Sequence, residues 1–123
     1  MRYVTNRKLA QGFGSARSGT QEHWQTVVSA VALVGLVPFF VYFFGSALGG
    51  SHADTISTFS RPFPAMVALL TFWVGLHHFK RGVTVAIEDY TRGLFCKTLL
   101  IATTCITYTA MATGIYAVIR IAM

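Results

Sequence analysis

Between Glu22 and Asp54 the chain carries no Lys, Arg, Asp or Glu, and the same is true between Arg61 and Lys80 and between Lys97 and Arg120. Each stretch is long enough to cross a hydrocarbon core of about 30 Å, which takes about 20 helical residues. In lipid a backbone finds no water to bond, so a lone segment must satisfy its own N–H and C=O groups, and a helix does that where a single strand does not. The expected fold class is therefore an all-α membrane protein with three transmembrane helices. They are placed over about residues 24–48, 62–88 and 97–120, after a basic tail at 1–22, in one transmembrane domain covering 1–123. Pro38 falls inside the first span, where a kink is expected and tolerated.

Composition agrees with lipid as the solvent. Only 11% of residues are charged and 54% are hydrophobic, against about 25% charged in an ordinary globular domain. A soluble domain of 123 residues could not hide so much apolar surface. A net charge of +6 would suggest nucleic acid if the cations clustered on a polar domain. Here they sit at the ends of apolar runs, which reads as topology. Arg2, Arg7, Lys8 and Arg17 precede the first span, and Lys80, Arg81, Arg92 and Lys97 lie around the second connection. The opposite side has only Arg61 and Arg120. This bias predicts a cytoplasmic N-terminus and a periplasmic C-terminus.

The acid-free segment 1–21 could also pass for a mitochondrial transit peptide, but an ordinary positive-inside tail is the simpler reading. The first apolar run starts too late and is too long for a cleavable signal. Cys96 and Cys105 form no metal or redox spacing and are expected to pack in the membrane. Three spans are too few to enclose a transport pathway. Thr103, Thr107, Ala110 and Gly114 give the third span a face of small residues, and Ala32 and Gly35 give a shorter one on the first. Such faces let membrane helices approach closely. Packing within the three-helix unit and docking to another membrane subunit both fit them.

The second span runs on into LHHFKRGVTVAIEDYTRG, residues 76–93. If the helix continues, His78 and Asp89 are separated by about 1100°, within about 20° of three full turns, and by about 16 Å along the axis. Gly75 and Gly82 share that face. A histidine with glycine above and below leaves room for a flat ligand such as a porphyrin, whose iron the imidazole would coordinate. The plainer reading, a histidine near the headgroups bonded to a neighbouring carbonyl, is commoner. His77 competes for the role but has Val74 and Arg81 where His78 has glycines. Lys80 and Arg81 either meet anionic propionates or reach toward the interface. Asp89 and Tyr90 could hold the head of a quinone, the phenol donating to a carbonyl oxygen and the carboxylate orienting a donor or relaying protons. On the residues alone, a solvated helix end with a tyrosine in the aromatic belt has the better claim.

The pattern His78-x3-Gly82-x6-Asp89-Tyr90 resembles the hydrophobic membrane anchor, of the D-subunit type, of succinate dehydrogenase, respiratory complex II. Residues 14–25, GSARSGTQEHWQ, and the SAVAL entry to the first span are similar to bacterial members. The resemblance covers nearly the whole chain, most strongly residues 14–33 and 75–92. It implies that His78 is an axial ligand of haem b, with the second histidine on a partner anchor (the cytochrome b subunit). It implies that Tyr90 bonds the ubiquinone head and that Asp89 shapes the quinone site. It also implies iron–sulfur and flavoprotein subunits docked on the cytoplasmic side of a bacterial inner membrane, and a place in the tricarboxylic acid cycle and aerobic respiration. A mitochondrial inner membrane is the lesser alternative. In that family electrons from succinate pass through the other subunits to ubiquinone. This chain has no flavin fingerprint, cysteine cluster or nucleophile of its own.

One position departs from the family. An arginine is common two residues before the Thr/Ser-Ala step, and here Val27 stands before Ser29-Ala30. Arg81, Lys80 or a partner residue would have to replace it at a propionate. Two other readings share the hydropathy pattern: the anchor of a fumarate reductase, and a small membrane assembly protein without a cofactor.

Overall fold

The structure, a computed structural model, describes residues 4–12 and 19–123. Arg2, Arg17 and the Gly14–Ser18 part of the N-terminal motif lie outside the described residues. Five helices follow in order: α1 (Asn6–Gln11), α2 (Gly19–Ala47), α3 (His52–Phe59), α4 (Pro62–Tyr90) and α5 (Gly93–Ala122). Three of them, α2, α4 and α5, are long and apolar enough to cross a membrane. No strand occurs among the described residues. At 1.5 Å per residue, α2 and α4, of 29 residues each, are about 43 Å long. They therefore exceed the hydrocarbon thickness and carry their polar ends beyond it.

Helices α2 and α5 both pack on α4 and not on each other, so α4 is the middle of a three-helix row. Antiparallel contacts set the register. Gln25 and Ser29 of α2 meet Arg81 and His78 of α4. At the other end the Phe39 and Phe43 rings meet Phe63 edge to face, with centroids 5.9 and 5.7 Å apart. On the other flank of α4, Lys80 meets Tyr108 and Phe72 meets Gly114 of α5. The start of α2, the end of α4 and the start of α5 thus share one end of the row. Pro38 sits within α2, and the helix continues past it.

Between the first two spans the chain folds an element that hydropathy does not announce. Helix α3 opens with a capping box: the Asp54 amide donates to Ser51 Oγ (3.3 Å), and the Ser51 amide donates to Asp54 Oδ2 (2.8 Å). Together these satisfy donors that a helix start leaves orphaned. The Ser51 hydroxyl and then its amide hold the Asp54 carboxyl below the usual carboxylate range. The Ser60 hydroxyl donates to the Ile121 carbonyl and ties the end of α3 to the end of α5. Around this end lies the buried core: Ala47, Phe59, Ala65, Ala68 and Val118, with Phe40, Phe43 and Phe72 packed against it. Among the described residues the opposite end has no such cluster. Much apolar surface faces outward, including Val31, Val34 and Tyr42 of α2 and Ile101 and Ile106 of α5, as lipid or other membrane chains require.

Thr107 is buried, and its hydroxyl donates back to the Thr103 carbonyl. With Met111, Gly114 and Val118 it forms the face that α5 turns to α4. Part of the small-residue face of the third span therefore packs within the unit. Ala110 falls off it and is exposed, as are Ala32 and Gly35 on α2. Two residues, Thr91 and Arg92, connect α4 to α5, and Gly93 at φ +67° makes the reversal possible.

A Cβ at Gly114 would lie 2.9 Å from Phe72 Cδ1. Gly114→Ala should lower the thermal midpoint in mild detergent despite the better helix propensity of alanine. Gly114→Leu should lower it further, because overpacking costs about 1–3 kcal/mol of stability. A midpoint that rises along the series would place the α4–α5 contact elsewhere.

Candidate functional site

The second half of α4 carries the residues singled out in the sequence. The helix runs unbroken from Pro62 to Tyr90, so the turn count from His78 to Asp89 applies to one continuous element. Its end is made locally: the Thr91 amide and hydroxyl both donate to the Ile87 carbonyl, at 2.9 and 2.6 Å. Asp89 and Tyr90 stand just before that stop, and both are exposed, Tyr90 to 89%. Neither has a hydrogen-bond partner among the described residues, so both polar groups are presented outward from this chain.

His78 is half-buried and turned to α2, where its Nδ1 lies 2.9 Å from Ser29 Oγ. Ser29 Oγ also lies 2.9 Å from the Thr26 carbonyl. Gly75 and Gly82 have different surroundings. A Cβ at Gly75 would meet Leu33 Cδ2 at 3.8 Å, whereas one at Gly82 would meet nothing within 4 Å. At Gly75 a methyl group would make only ordinary contact with α2, and the glycine also borders a cleft of about 230 Å³ with Phe40 and Phe72; at Gly82 the space is open.

Lys80 and Arg81 part to opposite neighbours. Arg81 donates to the Gln25 side-chain oxygen on α2. Lys80 Nζ stands 4.6 Å from the centre of the Tyr108 ring and 3.3 Å from its hydroxyl. Tyr108 lies about midway along the uncharged run from Lys97 to Arg120. The ammonium group is therefore held against the neighbouring helix by ring and hydroxyl together, a cation–π arrangement. Val27, at the departure from the family pattern, is exposed.

Two clefts flank α2 and α4 at this end. One of about 660 Å³ is lined by Glu22, Gln25, His77, Lys80, Arg81 and Glu88 among others. A second, of about 420 Å³, is more apolar and includes Trp24, Val28, Trp73, Val74 and His77. His77, not His78, opens onto both clefts, while His78 sits at the helix–helix seam. Among the described residues no three His, Cys, Asp or Glu side chains gather to hold a metal ion.

Three residues at this site are given no role by the sequence: Ser29 and Gln25, which enter only as letters of the family motifs, and Tyr108. Ser29 is a lone hydroxyl in an apolar run, and its partner is 49 residues away. Only the antiparallel register of α2 on α4 brings the two together.

A three-span protein whose middle helix carries a seam histidine and an exposed Asp-Tyr end is defined, as a class, as a helical membrane subunit. The chain matches a family model described as succinate dehydrogenase/fumarate reductase transmembrane subunit over residues 1–119, and it belongs to that family. It is 41% identical over 123 residues, 100% of this chain and 95% of the relative, to a succinate dehydrogenase hydrophobic membrane anchor subunit from Paracoccus denitrificans. No solved structure matches it.

Proposed function

We propose that this chain anchors a succinate dehydrogenase in the membrane, supplies one axial ligand to haem b through His78, and forms one wall of a ubiquinone site with Asp89 and Tyr90. The carrying observation is the continuity of α4, which holds all three residues on one rigid element. The family match and the whole-length relative support the anchor role. The partners are then a second anchor subunit, an iron–sulfur subunit and a flavoprotein subunit.

The residues present fit a haem held between two chains. His78 has one ring nitrogen engaged by Ser29 and the other available. Gly82 opens space one turn further on, and His78 supplies one donor from the helix seam, so a second would come from a partner. Lys80 and Arg81 are the cations at that level, and their bonds to Tyr108 and Gln25 hold them in place. The haem would supply a one-electron carrier within the bilayer. His78 would bind and orient it, and the packed helices would keep water from the seam.

At the helix end the exposed Tyr90 phenol is free to donate to a quinone oxygen and so to stabilise negative charge developing there. Asp89 beside it would orient a cationic donor from a partner or pass a proton toward the head group. Both need facing residues from other subunits, in keeping with their lack of partners here. The charge bias favours placing this end in the cytoplasm, where the soluble subunits would dock.

Three experiments test the proposal. His78→Ala should abolish or alter haem b absorption in the assembled complex; an unchanged spectrum moves the ligand elsewhere, His77 first. Tyr90→Phe should slow quinone reduction on the order of 10²-fold while succinate oxidation by a soluble artificial acceptor continues; equal loss of both activities would mean failed assembly. For orientation, with Cys96 and Cys105 replaced by alanine, His52→Cys should react with a membrane-impermeant maleimide on intact cells and Arg92→Cys only after permeabilisation. The reverse labelling would invert the topology.

A further inference from the structure

Ser29 Oγ has two neighbours, each at 2.9 Å: the Thr26 carbonyl oxygen and His78 Nδ1. A carbonyl has no proton to give, so the serine hydroxyl donates to Thr26. Its lone pair is then what faces His78, and a hydrogen bond at that distance requires the proton to sit on Nδ1. The imidazole is thereby held as the tautomer with an unprotonated Nε2. From this geometry we propose that Ser29 is a positioning residue for the metal-binding function of His78: it accepts the Nδ1 proton, fixes the ring plane and directs Nε2 to the iron.

This inference rests on the haem reading above and adds a residue to it from a different helix. Metal-ligating histidines almost always donate their second ring N–H to an acceptor, which raises the basicity of the ligand and fixes its orientation. Here the acceptor is itself anchored, because its own proton is committed to the backbone of α2. The docking of α2 on α4 and the orientation of the ligand are therefore one contact. Neither side chain is more than half exposed, so water competes poorly for the bond.

The test compares the assembled, purified complex in wild type, Ser29→Ala, Ser29→Thr and His78→Ala forms. Haem retention is read by transfer to an excess of an apo-haem-binding protein, and the haem b midpoint potential by optical titration. Ser29→Ala should release haem roughly 10-fold more readily and raise the midpoint, since a less basic imidazole favours the ferric state less. Ser29→Thr, which keeps the acceptor, should behave as wild type. If the alanine form cannot be assembled, Ser29→Cys, with a weaker acceptor of similar size, should shift the midpoint in the same direction by less. Retention and midpoint unchanged in Ser29→Ala, with haem lost from His78→Ala, would overturn the role of Ser29 and leave the haem reading standing. So would a threonine form that matches the alanine form. A spectrum unchanged in His78→Ala would overturn both.

Discussion

Lipid offers the backbone no hydrogen-bond partner, and that constraint organises the molecule. Each crossing segment must be helical through the bilayer, so a residue's position along α4 fixes both its depth and its direction. His78 and Tyr90 stand about 18 Å apart along one axis, with no joint between them at which the spacing could change. Because α2 and α5 touch α4 and not each other, the middle helix also carries the tertiary structure. The Ser29, Gln25 and Leu33 contacts are made from one flank, and the Tyr108 and Gly114 contacts from the other.

Packing is unequal along the row. Where α3 closes over the far ends of α2, α4 and α5, phenylalanines meet edge to face and small residues are buried. A capping box closes the start of α3, and the Ser60 bond to Ile121 ties its end to α5. Toward Asp89 and Tyr90 the helices are joined mainly by polar pairs, and open clefts lie between them. A polar pair in lipid contributes modestly, because alternative partners exist in the unfolded helices as well. Its value here is direction: each pair fixes where a donor or acceptor points.

The spans were legible because absence of charge over about 20 residues has few other meanings. Their ends were less so. Helix α4 reaches Tyr90 and α5 begins at Gly93, beyond the apolar runs, because helical hydrogen bonding does not stop where hydropathy does. Helix α3 escaped a reading based on hydropathy, although Ser51-x-x-Asp54 is a capping signature in the sequence. The face of Thr107 and Gly114 was visible as small residues, but only tertiary packing decides that it meets Phe72 while Ala110 does not. At the candidate site, His78, Asp89 and Tyr90 stood out through local spacing. Ser29 and Gln25 stood only as letters of the family motifs and Tyr108 not at all, since nothing near them in the chain points to helices brought alongside by folding. The family match supports the anchor role.

The lopsided core bears on how such a chain is made. A copy inserted ahead of its companions would be knit together at one membrane face and gaping at the other. Its exposed carboxylate and phenol would stand beside open clefts. A companion helix seated there would stiffen the half of the row that this chain leaves loose, so assembly would finish the tertiary structure as well as the pocket.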